Sequence, residues 1–318
     1  MPFAYHVPVK VAIVGTGNVG STAAYALLLS GLAAEIVLID ANVPRAEGEA
    51  MDLNHAVPLT HSTNIRRGDY PDCSGAAVTI VAAGAAQKPG ETRLDLVKRN
   101  TEIFGSIIPQ IAKYNPEGIL LITTNPVDVL TYASWKMSGL PFSHVIGTGT
   151  ILDTARFRYL LSEHFSVDPR SVHAYIIGEH GDSEVPVWSL ANIAGMHLST
   201  YASRQNIPYD DTIRERIFNQ TRNAAYEIIR RKGATYFAVA AGIMQIVETI
   251  LRDQSTVLSV SSLMQNFPGI ENVCLSLPTI VNRGGVENVL PLELSESESA
   301  ALHRSAEILS STIRNIGY

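Results

Sequence analysis

A chain of 318 residues with 46% hydrophobic side chains is long enough for two domains and a large core. The net charge is -6 with no basic block, which argues against nucleic acid as a partner, and only 17% of residues are charged, which predicts surface buried between subunits. Two cysteines, Cys73 and Cys274, form neither a metal-type spacing nor a disulfide framework, and the longest apolar stretch, residues 23–34, is too short for a bilayer and is broken by Ser30 and Gly31.

The opening MPFAYHVPVK lacks the charge-then-apolar order of a signal peptide, so a cytoplasmic protein is expected. An apolar run over residues 11–14 then stops at Gly15, Gly17 and Gly20 complete a G-x-G-x-x-G spacing, and residues 21–30 read as a helix. The glycines suit a tight turn, a close approach by pyrophosphate and close helix packing, with the helix dipole facing the phosphates. A second apolar run, residues 35–39, ends in Asp40, where this fingerprint places an acid for the ribose hydroxyls.

Further on, residues 42–54 read as a helix, 64–68 as a short strand and 77–82 as a buried one. Residues 84–91 contain Gly84, Pro89 and Gly90 and read as a hinged loop, followed by a helix over 93–114. A strand over 119–123, a helix from Asn125-Pro126 to Met137 and a last strand at 145–146 complete the first half. Six strands alternating with helices predict a doubly wound, Rossmann-type parallel sheet over residues 1–147. Its ligands belong at the carboxyl ends of the strands, where Gly15, Asp40, Gly84 and Asn125 fall.

The pattern changes over residues 148–318, which predict a mixed α+β domain. Helices are expected over 150–165, over 209–231 before Gly233, and over 234–251. Residues 172–177 alternate as one strand, 185–190 form a strand or a turn, and 256–264 and 272–281 form antiparallel strands. Ser295 and Glu298 form a capping box for a final helix reaching Ile316.

Several residues in this frame invite chemistry. Asp153 and Arg156, at i and i+3, share a helix face, as either a surface ion pair or working groups. His180 lies between Gly178 and Gly181 at a strand end, as either a loop histidine or an acid/base whose tautomer Asp153 could fix. In that case Arg156 offers a two-pronged clamp for a carboxylate. Arg93 follows the hinged loop and is either solvated or carried onto a substrate carbonyl by closure. Asn125 is a turn residue or a contact in the crevice, and Thr235 reads as an ordinary helix N-cap.

Four segments carry a resemblance: AAGAAQKPGETRLDLVKRN at 82–100, TTNPVDVLTY at 123–132, GTGTILDTARFRYLL at 147–161 and IGEHGDSEVPVW at 177–188. With them the chain resembles the L-lactate/malate dehydrogenase family from about residue 8 to its end. The resemblance implies His180 as acid/base, Asp153 as its orienting carboxylate, Arg93 as the loop arginine and Arg156 as the carboxylate binder. It implies Asn125 and Thr235 in the substrate pocket and a cis bond at Asn125-Pro126. It implies NAD as cofactor, with Gly15, Val19, Asp40, Arg45, Tyr70, Gly84, Ala85, Ser106, Thr123 and Thr148 among its contacts. A cytoplasmic glycolytic dimer or tetramer reducing pyruvate to lactate is the implied setting.

Gln87 is the expected reader of the substrate tail. Malate enzymes resembling this family carry Arg there, because oxaloacetate brings a second carboxylate, so a neutral Gln favours pyruvate. Bulkier 2-keto acids, and a nucleotide-binding sensor without catalysis, are the other readings. Arg158 and His173 match the Arg and His of bacterial family members regulated by fructose 1,6-bisphosphate, which implies an effector site between subunits of a homotetramer. Helix geometry turns Arg158 away from Arg156, and an odd separation on one strand turns His173 away from His180.

Overall fold

The computed structural model describes residues 9–85, 90, 92–265 and 267–318, and for Arg93 the backbone alone. In the first half β1 (Lys10–Val14), α1 (Asn18–Ser30), β2 (Glu35–Ile39), α2 (Val43–Ala56), β3 (Asn64–Arg67) and β4 (Ala76–Val81) come first. They are followed by α3 (Arg93–Tyr114), β5 (Ile119–Ile122), α4 (Val127–Ser138) and β6 (Val145–Gly147). The second half begins with α5 (Ile151–Phe165), the two-residue strands β7 (Val172–His173), β8 (Ile176–Ile177), β9 (Val185–Pro186), β10 (Asn192–Ile193) and β11 (Met196–His197), and α6 (Leu198–Gln205). It ends with α7 (Asp211–Lys232), α8 (Phe237–Leu251), β12 (Thr256–Leu263), β13 (Cys274–Asn282), β14 (Gly285–Val289) and α9 (Glu296–Asn315).

One nine-stranded sheet runs in the order β14-β13-β12-β6-β5-β4-β1-β2-β3. Its six first-half strands are parallel, and β12, β13 and β14 extend it antiparallel, joined by Ser261 opposite Gly147. The parallel strands are almost wholly buried because helices cover both faces. Val11 and Ile13 pack towards Ala23, Ala24 and Leu27 of α1 and Ile243 and Val247 of α8. Ala12 and Val14 pack on the other side against Phe104 and Ile108 of α3 and Leu130 of α4. The chain order reverses between β1 and β4, the switch point at which such sheets leave a crevice.

Two expectations need correction. Residues 172–177 do not form one strand, so His173 and His180 do not share one: β7 pairs with β10, whereas β8 pairs with β9, and His180 lies beyond β8. The break has its cause in partners from elsewhere in the chain. Pro186, opposite Ile176, has no N–H to give, and hydroxyls of Thr150 and Ser259 donate to the Ile176 carbonyl at 2.6 and 2.9 Å while Thr154 accepts its N–H at 3.0 Å. Thr235 is not an N-cap either. Gly233, left-handed at φ 86°, ends α7, and α8 starts only at Phe237, after Tyr236, whose ring meets the Phe237 ring edge-on at 4.6 Å.

Asn42 caps α2, Thr92 and Asp95 form a capping box on α3, Ser295 and Glu298 form one on α9, and the Asn125-Pro126 bond is cis. Among the described residues no helix is long and apolar enough to cross a membrane.

Candidate active site

The first cleft, about 710 Å³, opens over the carboxyl ends of β1, β2 and β4. Gly15, Gly17, Asp40, Arg45, Tyr70, Gly84 and Ser106, each among the expected cofactor contacts, line it. Gly15 turns out of β1 at φ 97°, where any Cβ would stand 2.4 Å from the Ala83 nitrogen. A Cβ on Gly20 would meet the Gly15 carbonyl oxygen at 1.9 Å, so α1 can seat on the turn only with glycine there. Gly17 differs, with no heavy atom within 4 Å of its Cβ direction. That open backbone, as the N-cap of α1, is a place for a pyrophosphate.

Asp40 accepts the Thr16 N–H and hydroxyl on Oδ2, at 2.7 and 2.9 Å, and the Asn42 N–H on Oδ1 at 2.8 Å. Partial burial alone would favour the neutral acid, but these hydrogen bonds and nearby Arg45 outweigh it and hold the carboxyl below its usual range. Oδ1 thus keeps acceptor capacity for a ribose hydroxyl while the charge repels a 2'-phosphate. The cleft therefore fits NAD.

The other expected cofactor residues lie off this wall. Val19 packs on the core beneath α1, and Thr123 and Thr148 tie the carboxyl ends of β5 and β6 through N–H bonds to Val81 and Ile122 at 3.0 and 2.9 Å. The Ala85 N–H donates to Asn100 Oδ1 at 2.8 Å, and Asn100 Nδ2 donates to the Asn125 carbonyl at 3.0 Å. Asn100, wholly buried, thereby ties the edge of the first cleft to the edge of a second. Sequence reasoning missed this residue. It also missed the apolar face of Ile103 and Ile107 beside Ser106, which helical spacing from Ile103 could have found.

The second cleft, about 410 Å³, is lined by Asn125, Asp153, Arg156 and His180, with Glu184, Arg222, Tyr226 and Ile229. The last three recur at helical spacing on α7, a signal overlooked in the sequence. Thr235 is not on the wall of this cleft.

Gly178, at φ 85°, starts the loop that carries His180, and a Cβ there would stand 2.8 Å from Ser305 Oγ on α9. The same Ser305 hydroxyl accepts the Glu179 N–H at 2.8 Å, and Asp128 of α4 accepts the His180 N–H at 2.7 Å. Burial raises the Asp128 carboxyl to about 6, against the hydrogen bonds it accepts.

These anchors set the imidazole Nδ1 against Asp153 Oδ2, while Arg156 donates to Asp153 Oδ1 at 2.8 Å. Asp153 is 2% exposed. Burial favours its neutral form, but His180 and Arg156 prevail and keep it ionised. For His180, burial favours the neutral ring, yet the Asp153 charge and hydrogen bond prevail and push it up to about 9. With Nδ1 committed to Asp153, Nε2 is the nitrogen left for a ligand. The arrangement can hold a proton at Nε2 beside a guanidinium able to receive a carboxylate.

Gln87 lies outside the described residues, and of Arg93 only its place is described, as the first residue of α3. Arg158 points away from Arg156, as helix geometry requires. Its Nε donates to the Ala174 carbonyl at 2.8 Å, its guanidinium lies 5.0 Å from the Tyr175 ring centre, and burial lowers its pKa. It lines a separate recess of about 220 Å³ with Arg170, while exposed His173 pairs opposite Asn192 in β10.

A dinucleotide cleft tied by one buried asparagine to a cleft holding a proton-carrying imidazole is the equipment of a dinucleotide-dependent dehydrogenase. Comparison with known proteins narrows this class. The pattern of the lactate/malate dehydrogenase NAD binding domain matches residues 9–147, and that of the alpha/beta C-terminal domain matches residues 150–317. The chain belongs to the lactate/malate dehydrogenase family and is an NAD-dependent oxidoreductase. It is 55% identical to an L-lactate dehydrogenase of Acetivibrio thermocellus over 307 residues, covering 96% of this chain and 97% of the relative. It is 53% identical to one of Thermoanaerobacter pseudethanolicus, covering 96% and 99%. Among solved structures it resembles a lactate dehydrogenase from a Medee basin deep-sea metagenome library (TM-score 0.95, 42% identity, 98% and 99% coverage). It also resembles the ligand-bound minor L-lactate dehydrogenase of Enterococcus mundtii (TM-score 0.94, 42% identity, 96% and 98% coverage).

Proposed function

We propose that this protein is an L-lactate dehydrogenase, reducing pyruvate reversibly to L-lactate with NADH. The observation that carries the reading is the His180–Asp153–Arg156 arrangement in the second cleft. The names of the relatives that match almost its whole length support it.

NADH, when bound, supplies the hydride that reaches the carbonyl carbon. This chain's residues do the rest. Arg156, its guanidinium steadied by Asp153, receives the pyruvate carboxylate. His180 gives the proton on Nε2 to the carbonyl oxygen as that oxygen gains charge, and becomes neutral. Asp153 fixes the tautomer and stabilises the cation that starts the cycle. Arg93, carried at the start of α3, polarises the carbonyl when the preceding loop closes and water is excluded. Asn125 borders the site, and Gln87 reads the methyl end. In reverse, neutral His180 takes the hydroxyl proton of lactate.

The division of labour gives cofactor binding to residues 1–147 and the acid/base and carboxylate binder to residues 148–318, with Gln87, Arg93 and Asn125 of the first part completing the substrate site and the sheet continuous across the boundary. The working form is a cytoplasmic homotetramer activated by fructose 1,6-bisphosphate at Arg158 and His173. The deciding experiment follows loss of NADH absorbance with pyruvate and, separately, with oxaloacetate. Turnover with pyruvate well above that with oxaloacetate is expected, and the opposite ranking would make it a malate enzyme.

A further inference from the structure

Glu184 has no role in the steps above, yet it stands in the wall of the second cleft beside Arg156 and His180. It is 7% exposed, and its Oε1 is buried without a hydrogen-bond partner. Among the described residues no cation forms an ion pair with it. A carboxylate left so would be costly, whereas the carboxylic acid is tolerable. The charged and titratable groups on the cleft wall around it are Asp153 and Arg156 from α5, His180 and Asp182 from its own loop, and Arg222 and Tyr226 from α7.

We propose that Glu184 sets the charge of the 2-keto acid site. Carried as the neutral acid, it lets Arg156 and protonated His180 receive a single carboxylate; once ionised, it repels that carboxylate and closes the site to anions. This rests on the reading of the second cleft as the pyruvate site. Burial is the main cause that pushes the Glu184 carboxyl up, to about 8, with Asp153 adding to it and His180, Arg156 and Arg222 opposing. A neutral wall at physiological pH and an anionic one in mild alkali follow from that balance.

The test is kcat/KM for pyruvate against pH at saturating NADH, which reports ionisations of the cofactor-bound enzyme before pyruvate binds. In the wild type two protons must be held, one on Glu184 and one on His180. The alkaline limb should therefore steepen towards about two decades per pH unit. Glu184→Gln should reduce it to about one decade per unit, and Glu184→Asp, which keeps a carboxyl, should restore the steeper fall. A merely structural role would change the level of the curve and leave its slope alone. If the glutamine variant fails to fold, the wild type alone decides, because a one-proton limb overturns the proposal. Equal slopes in wild type and Glu184→Gln overturn it as well. Absence of pyruvate reduction at every pH would instead overturn the site assignment, and this proposal with it.

Discussion

His180 presents its Nδ1 to Asp153 while the other Asp153 oxygen is held by Arg156 at 2.8 Å, so one buried carboxylate orients both the proton carrier and the carboxylate binder. The first prediction concerns pH. His180 is raised from 6.5 to about 9, so the cation that pyruvate reduction needs persists through neutrality and is lost above about 9. Lactate oxidation needs the neutral ring, so its kcat, read at saturating lactate, should rise over the same range. In Asp153→Asn the alkaline limb of reduction should fall back to 6.5 or below, with turnover lowered roughly 10²–10⁴-fold. A limb that stays in place would refute Asp153 as the cause. The sign for stability is the same: the contribution of His180 is complete below 6.5 and disappears as pH rises through about 9.

The second prediction separates two glycines. Gly17→Ala meets no heavy atom within 4 Å, so the variant should melt within a few degrees of wild type. Its methyl nevertheless occupies the approach to the α1 N-cap, and NADH binding, read by fluorescence titration, should weaken by about tenfold or more, a loss of roughly 1.4 kcal/mol. Gly20→Ala places a Cβ 1.9 Å from the Gly15 oxygen, so the turn must move and the fold should lose about 2–4 kcal/mol. Normal NADH affinity in Gly17→Ala would refute the pyrophosphate seat.

What the sequence made legible follows where the deciding forces are local. The runs that became β1, β2, β4 and β5 are buried on both faces and stop at Gly15, Asp40, Ala82 and Thr123, so apolar content and its interruption sufficed. Asp153 and Arg156 share a face by helix geometry alone. Residues 172–177 misled because partners of Ile176 lie far off in the chain, Ser259 by 83 residues and Thr154 by 22. No window centred on Ile176 contains the former. Asn100 and Glu184 escaped notice for the same reason. A buried asparagine matters through Ala85 and Asn125, and a glutamate in a loop becomes unusual only once α5 and α7 close over it.

Gln87 carries the third prediction, which the sequence alone motivates. Gln87→Arg supplies a cation for the second carboxylate of oxaloacetate and leaves that cation unpaired against the methyl group of pyruvate. Pairing or stranding a charge in a closed site is worth about 2–5 kcal/mol, enough to move the ratio of the two kcat/KM values by orders of magnitude towards oxaloacetate. An unchanged ranking would show that another residue reads the tail.

The last prediction concerns the face of α5 turned from the active site. Arg158 is braced on the Ala174 carbonyl at 2.8 Å, one residue from exposed His173, and Arg156 on the same helix holds Asp153. One helix thus carries both the substrate binder and the expected effector binder, and a shift of α5 is felt at both. A sugar bisphosphate presents two anionic ends, and a two-fold axis through this face would offer each end an Arg and a His. Fructose 1,6-bisphosphate should therefore lower the pyruvate concentration required, by a factor within the roughly 5–150-fold range usual for coupled sites. Reciprocity requires pyruvate, or an unreactive analogue in the presence of NADH, to tighten effector binding by the same factor. Sedimentation should show the effector favouring the tetramer. Pyruvate titrations with and without effector, on wild type and on the Arg158→Gln, His173→Gln double variant, check it. Coincident wild-type curves from mildly acid to neutral pH would sink the effector site, and so would activation that persists unchanged in the double variant.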